Sequence, residues 1–89
     1  MFSIPRVNVI QSDQGFSVEV LGRTGLLYLE GSRAVTIDSE VLAGPHGMVV
    51  YGNSIKCWDS GEPIAAEARA GILQNIAAAF KYRGLEIEI

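Results

Sequence analysis

The single histidine and the single cysteine are the residues of this chain whose types could most directly do chemistry. His46 stands in a Gly-Pro-His-Gly stretch, and a histidine in a loop can transfer protons near neutral pH. General acid-base catalysis also needs a partner group and a pocket, and no second catalytic residue accompanies His46 in the sequence. We therefore expect His46 to be an ordinary loop histidine.

Cys57 could be a nucleophile if a basic neighbour stabilised its thiolate, and Lys56 precedes it. Adjacent residues of a strand point to opposite faces, so Lys56 would not lie beside the thiol. We expect Cys57 to be a small, buried apolar residue.

The remaining sequence contains no motif for catalysis or cofactor binding. Its glycines match neither the phosphate-binding loop nor the dinucleotide-binding pattern and are typical of turns. One cysteine and one histidine are too few ligands for a structural zinc site. The sequence therefore predicts a protein that is not an enzyme and that needs no cofactor and no metal. A small-molecule binder would need a deep polar pocket around His46 or Cys57.

Charge and hydropathy exclude two classes of partner. Ten acidic and seven scattered basic residues give a formal net charge of −3, whereas nucleic-acid binding depends on clustered Lys and Arg. No apolar run approaches the roughly 20 residues that span a bilayer. We expect a soluble protein that binds no nucleic acid and no membrane. The first residues lack the features of a secretion signal, which predicts a cytoplasmic location.

Alternating apolar and polar residues predict five strands in the first two thirds of the chain. They cover residues 6–10, 16–21, 26–30, 33–40 and a longer stretch, 48–58, that is broken at Gly52 and Asn53. In the first strand Val7 and Val9 would share a face. Gly31 and Ser32 are typical of a hairpin turn, and residues 42–47 predict a loop rich in Gly and Pro.

The fifth strand has two parts with different patterns. Residues 48–51 are apolar on both faces, as in an interior strand. Beyond the break, which could be a bulge or a sharp bend, Ile55 and Cys57 would share one face and Lys56 and Trp58 the other.

The last third predicts a helix followed by a strand. Apolar residues recur at helical spacing over residues 64–82, and Gly84 is suited to end the helix in the left-handed conformation. The apolar positions are Ala65, Ala68, Ile72, Ile76 and Phe80. Residues 85–89 alternate strictly, with Leu85, Ile87 and Ile89 inward. The predicted class is α+β, a mostly antiparallel sheet of about six strands in the order β-β-β-β-β-α-β, with one long amphipathic helix packed on one face.

Two groups of side chains could bind a partner. Strand parity would place four acids on the sheet face away from the helix: Glu19, Asp38, Glu86 and Glu88. Such a patch would attract a basic partner, although it could equally be a solvated face that keeps the protein soluble. The second group is Trp58 with Asp59 and Glu62, since tryptophan is a frequent interface anchor. The alternative is that Trp58 caps one end of the core.

From Gly31 onward the chain contains GSRAVTIDSEVLAGPHGMVVY and then, from Ser54, SIKCWDSGEPIAAEARAGILQNIAAAF. These two segments resemble the immunity protein 74 family of bacterial polymorphic toxin systems. The resemblance lies in a strand that ends in tryptophan, a short acidic loop with proline, and one long helix. The matching residues are Gly31, Arg33, Asp38, Glu40, Leu42, Ser54, Ile55, Trp58, Glu62 and Pro63. Family members often have a hydroxyl residue at the helix start, where this chain has Ala65.

The resemblance implies that residues 1–89 form a single immunity-protein-like domain. It implies binding to a cognate toxin protein, which the domain blocks without catalysis. The alternative function is a homo-oligomeric structural or interaction module that uses an exposed strand edge or sheet face.

Overall fold

The computed structural model describes residues 1–22, 24–41 and 47–88. In these residues six strands precede one α-helix and a seventh strand follows it. The elements are β1 (Phe2–Arg6), β2 (Val9–Ser12), β3 (Phe16–Val20), β4 (Thr24–Glu30), β5 (Arg33–Val41), β6 (Met48–Val50), α1 (Ala66–Tyr82) and β7 (Ile87–Glu88). A 3₁₀ turn, Gly52–Ser54, lies between β6 and α1.

The seven strands form one sheet in the order in which they occur along the chain. Every neighbouring pair from β1 to β6 is antiparallel, and β7 pairs with β6 in parallel because α1 carries the chain back along the sheet. The predicted α+β class, with a mostly antiparallel sheet and one helix, is confirmed. So is the interior position of β6, which lies between β5 and β7.

The hairpin of β4 and β5 is the longest pairing in the sheet and confirms the predicted turn. Glu30 lies opposite Arg33, so Gly31 and Ser32 alone connect the strands. Gly31 has a φ of 60°, which glycine adopts at little cost because it has no Cβ.

The prediction of a single strand over residues 6–10 is wrong. Val7 and Asn8 form a turn between β1 and β2, and Arg6 lies opposite Val9. The Asn8 side-chain amide donates a hydrogen bond to the carbonyl of Val20 at 3.3 Å, which holds the turn against β3. Val7 is therefore 80% exposed while Val9 is 6% exposed, so the two valines do not share an environment.

The prediction of a strand over residues 54–58 is also wrong. After the 3₁₀ turn, Ile55 and Trp58 are both buried and Cys57 is exposed, which reverses the predicted burial of Cys57. Ile55 and Trp58 are three residues apart, which does not fit the period of two of a strand. The segment forms an isolated bridge between Cys57 and Pro63 instead of a continuous strand pairing, so its side chains need not alternate. The Asp59 N–H donates to the Ala34 carbonyl at 2.7 Å, so this segment runs beside the half of β5 that β6 does not pair with.

Helix α1 begins two residues later than predicted, and no side chain caps it. Ala65 is its N-cap residue, consistent with the lack of a hydroxyl there. The first turn is exposed, including Ala68, and the buried face begins at Ile72.

The predicted end of the helix is confirmed. Gly84 has a φ of 83°, its N–H donates to the Lys81 carbonyl at 3.0 Å, and the Leu85 N–H donates to the Phe80 carbonyl at 2.8 Å. These two bonds form a Schellman motif, which satisfies carbonyls that the last turn of a helix leaves without a partner.

The core lies between α1 and one face of the sheet. From the helix it contains Ile72, Ile76, Ala79 and Phe80, and the sheet contributes Ile10, Val18, Leu26, Tyr28, Val35, Ile37 and Val50. The Asn75 amide donates to the Tyr28 hydroxyl at 2.8 Å, and that hydroxyl donates to Glu30 at 2.6 Å. Burial, together with the bond to the Glu30 carboxylate, raises the pKa of the Tyr28 phenol well above its ordinary value. No helix within the described ranges is long and apolar enough to cross a lipid bilayer.

Candidate partner-binding surface

The face of the sheet opposite α1 is here called the open face, because in the parts of the chain that the structure describes no helix or strand covers it. Backbone register places on it Gln11, Ser17, Glu19, Leu27, Leu29, Ala34, Thr36, Asp38, Glu40 and Val49. These side chains are exposed or half-buried, whereas most of their strand neighbours on the other face are buried. Val9, which the register also pairs with Glu19, is the exception on the open face, with an exposure of 6%. The open face is therefore the accessible side of a two-layer structure.

Two of the four predicted acidic residues, Glu19 and Asp38, have positions on this face. Glu19 lies on β3 opposite Leu27, and Asp38 is exposed on β5. Glu88 pairs through its backbone with Val49 on β6, which in turn pairs with Glu40. The backbone carbonyl of Glu86 accepts a hydrogen bond from the Met48 N–H at 3.2 Å, so Glu86 lies at the start of β7.

Glu19 already has a partner within the chain. One nitrogen of the Arg6 guanidinium lies 3.1 Å from a Glu19 carboxylate oxygen, and the Glu19 side chain is only 25% exposed. This pairing offsets the negative charge at the β3 side of the open face. The predicted acidic patch is therefore weighted toward β5, where Asp38 and Glu40 are exposed.

Asp38, Glu40 and Tyr51 form the group here called the acidic corner. Asp38 and Glu40 are two residues apart on β5, and both side chains are exposed. The Tyr51 hydroxyl donates to a Glu40 carboxylate oxygen at 3.1 Å, and this bond raises the pKa of Tyr51. Thr24 and Asn53 line the shallow depression beside them.

Backbone contacts hold the acidic corner in place. The Ser54 hydroxyl accepts a hydrogen bond from the Asp38 N–H at 3.0 Å and donates to the Tyr51 carbonyl at 2.6 Å. The Tyr51 N–H donates to the Asp38 carbonyl at 2.9 Å. On the other side the Ser39 hydroxyl accepts a hydrogen bond from the Gly25 N–H at 3.0 Å, at a bulge where Asp38 and Ser39 of β5 lie opposite the single residue Gly25 of β4.

Glu40 and Tyr51 are absent from the site residues predicted from the sequence. Glu40 has the same strand parity as Asp38, and that signal could have found it. Tyr51 follows the end of β6, where the 3₁₀ turn redirects the chain, so no alternation pattern could predict its contact with Glu40.

The second predicted group surrounds a buried tryptophan. Trp58 is 5% exposed and stacks on Tyr28 with 6.5 Å between ring centroids. The Arg33 guanidinium carbon lies 5.6 Å from the centre of the Trp58 ring, and an Arg33 nitrogen lies 3.7 Å from a Glu62 carboxylate oxygen. Trp58 thus caps one end of the core, and the accessible side chains at this edge are those of Arg33, Asp59 and Glu62.

Only one of the two residues considered for catalysis lies in the described part of the chain. Cys57 is exposed, and His46 with residues 42–45 lies outside the described residues. Across the described ranges no three His, Cys, Asp or Glu side chains are grouped so as to hold a metal ion.

Fold and surface together define a small two-layer α+β protein whose accessible feature is an acidic sheet face. The family model of immunity protein 74 matches residues 17–89, and the chain belongs to this family. The family name implies a toxin as the partner in general terms. No curated protein and no solved structure matches the chain significantly.

Proposed function

We propose that this chain is a bacterial immunity protein that binds a cognate toxin of a polymorphic toxin system and neutralises it by occlusion. Membership of the immunity protein 74 family carries the proposal. In this proposal residues 1–89 act as one domain in the cytoplasm of the cell that makes the toxin. The domain blocks its target by contact alone and transforms no substrate.

The exposure of the acidic corner supports a binding role over a catalytic one. Asp38, Glu40 and Tyr51 are all exposed, and the depression beside them is shallow. A catalytic site usually excludes water, because electrostatic interactions are stronger where water is absent. An exposed, hydrogen-bonded set of carboxylates is better suited to meeting charges on another protein.

The net charge of −3 supports a basic toxin as the partner. Opposite charges accelerate the encounter of two proteins and align them before contact. Toxins that act on nucleic acid carry the positive charge that binds phosphates, so an acidic inhibitor would match them.

The proposed partner-binding residues fall into two groups. The first comprises the acids of the open face and its edge, Glu19, Asp38, Glu86 and Glu88, to which the structure adds Glu40. The second group is the Trp58 edge, where the side chains of Asp59 and Glu62 are accessible. Trp58 itself is buried beneath the Arg33 guanidinium and supports this edge from the core. We favour the first group because it lies on a broad, uncovered surface.

Self-association through β1 is the alternative function. In the described residues β1 pairs with β2 alone, and Ile4 on it is 44% exposed, which favours edge-to-edge pairing. Pro5 opposes it, because proline has no N–H to donate to a second strand. Light scattering of the purified chain separates the two functions, since self-assembly would give a defined oligomer without any toxin.

Co-expression with the toxin domain encoded by the neighbouring reading frame tests the proposal. We expect growth to be restored by this chain and the two purified proteins to form a stable complex. Absence of both rescue and complex formation would contradict the proposed function.

A further inference from the structure

We infer that the toxin docks on the open face, with an apolar patch over Leu27 and Leu29 and basic side chains over the acidic corner. This inference rests on the proposed function and adds to it the place and the chemistry of the contact. It excludes the Trp58 edge and the outer face of α1 as the docking surface.

The apolar centre of the open face follows from the sizes of neighbouring side chains. Leu29 on β4 lies opposite Ser17 on β3 and Ala34 on β5. Because both neighbours are small, Leu29 projects above them and is 38% exposed. Leu27, two residues away on the same strand, is half-buried between Glu19 and Thr36. Leucine side chains at the centre of an accessible face, with a polar rim, have the layout of a protein interface.

The charges of the open face are distributed unequally around that centre. On the β3 side Glu19 is paired with Arg6 at 3.1 Å. On the β5 side Asp38 and Glu40 are both exposed. Attraction to a basic group is therefore strongest at one side, which fixes how the partner is oriented as well as where it binds.

The acidic corner is preorganised for such a contact. The Asp38 backbone is bonded on both sides by Ser54 and Tyr51, and the Glu40 carboxylate is held by the Tyr51 hydroxyl. Side chains already held in one conformation lose less entropy when a partner binds. The Glu40 carboxylate can thus accept Lys or Arg hydrogen bonds with little rearrangement, beside an Asp38 whose backbone is fixed.

Charge complementarity indicates which kind of molecule binds to the open face. A second copy of the chain meeting the same face would bring its own Asp38 and Glu40 into the contact, and like charges oppose association. Nucleic acid would be repelled by the same carboxylates. A basic protein surface with an apolar centre is the occupant that both features fit.

Paired variants locate the contact, with the toxin domain from the neighbouring reading frame as the probe. The double variant Asp38→Asn/Glu40→Gln is compared with Asp59→Asn/Glu62→Gln, which removes the same charge at the Trp58 edge. We expect the first to slow association by about five- to tenfold at low salt and to flatten its salt dependence. The second should stay within about twofold of wild type, because its charges lie away from the open face.

A second pair tests the apolar centre. Leu29→Lys places a cation in the middle of the open face, and Gln74→Lys places the same charge on the exposed side of α1. We expect Leu29→Lys to raise the Kd at least about tenfold, because a buried unpaired charge at an interface is costly, while Gln74→Lys leaves it unchanged. Thr36→Lys replaces Leu29→Lys if thermal unfolding shows that the latter is not folded.

The outcomes separate this inference from the function on which it rests. If the wild-type chain binds the toxin but both open-face variants bind like wild type, the docking surface is wrong and the proposed function stands. A loss confined to Asp59→Asn/Glu62→Gln would likewise overturn the inference in favour of the Trp58 edge. If the wild-type chain does not bind the toxin, the proposed function itself is contradicted.

Discussion

The guanidinium carbon of Arg33 lies 5.6 Å from the centre of the Trp58 ring, so an arginine at the start of β5 covers the tryptophan that ends the core. The same guanidinium lies 3.7 Å from Glu62, in the loop before α1. One side chain thus connects the sheet, the core and the loop.

Replacing Arg33 by Met is expected to lower the free energy of unfolding by about 0.5–1 kcal/mol, because the charge over the indole is lost while most of the aliphatic stem remains. Glu62→Gln keeps the cation over the ring and removes only an exposed ion pair, so it should cost at most about 0.5 kcal/mol. Urea unfolding measures both changes. An equal cost for the two variants would show that the ion pair, rather than the contact with Trp58, provides the stabilisation.

Tyr28→Phe should destabilise the chain by about 1–2 kcal/mol, because it removes the hydroxyl that joins Asn75 of α1 to Glu30 of β4 and leaves the Asn75 amide without its acceptor. Tyr82→Phe is the matched control, since Tyr82 is 52% exposed and should change stability by less than about 0.5 kcal/mol. Urea unfolding of the two variants gives the comparison. Equal stabilities would show that the buried hydrogen bonds contribute nothing net.

Stability should fall at alkaline pH through the same phenol. The folded-state pKa of Tyr28 is raised above its ordinary value of 10.0, so above pH 10.0 the unfolded chain loses the phenolic proton while the folded chain retains it. Above pH 10.0, each further pH unit lowers the free energy of unfolding by up to about 1.4 kcal/mol for such a group. Below pH 10.0 the contribution of the phenol to stability is fully present.

Urea unfolding at several pH values above 10 measures this slope, and Tyr28→Phe removes the titrating group. We expect the variant to have a shallower decline than wild type. Parallel declines would contradict the role assigned to Tyr28.

Two glycines of the helical region should respond to alanine with opposite signs. Gly84 has a φ of 83°, where a Cβ is strained, so Gly84→Ala should cost about 1 kcal/mol. Gly71 lies within α1 and an added Cβ would meet no atom within 4 Å, so Gly71→Ala should stabilise by about 0.5–1 kcal/mol. Thermal unfolding measures both. Destabilisation by Gly71→Ala would show that the helix does not tolerate a side chain there.

Patterns that depend on local sequence predicted the fold well. The hairpin turn at Gly31 and Ser32, the body of the helix and its end at Gly84 are set by neighbouring residues, and all agree with the structure. The family match begins at residue 17, which extends the resemblance seen from residue 31 onward toward the N-terminus.

The failures occur beside the turns at Asn8 and at Gly52–Ser54, where contacts with other strands set the direction of the chain. Val7 and Val9 alternate as in a strand, yet Asn8 bonds across to Val20 and the chain reverses. Ile55 and Trp58 are both buried in a segment that follows a 3₁₀ turn and forms an isolated bridge rather than a strand, so strand parity does not apply to it.

Parity did identify Asp38 as an open-face residue, because buried and exposed side chains alternate along β5 from Val35 to Glu40. It could not show that Arg6 pairs with Glu19, because the residues that Arg6 faces depend on the turn at Asn8. It also could not predict that Tyr51 binds Glu40, since these residues lie on different segments joined by residues 42–47. The distribution of charge on the open face is therefore a property of the tertiary structure.

Amide chemical-shift mapping of the ¹⁵N-labelled chain, titrated with the unlabelled toxin domain from the neighbouring reading frame, tests the central claim most directly. We expect the largest shifts and intensity losses on β4, β5 and β6, centred on Leu29, Asp38 and Glu40, with the exposed side of α1 little affected. Shifts centred on α1 or on the loop around Asp59, or no change on addition of the toxin, would contradict it.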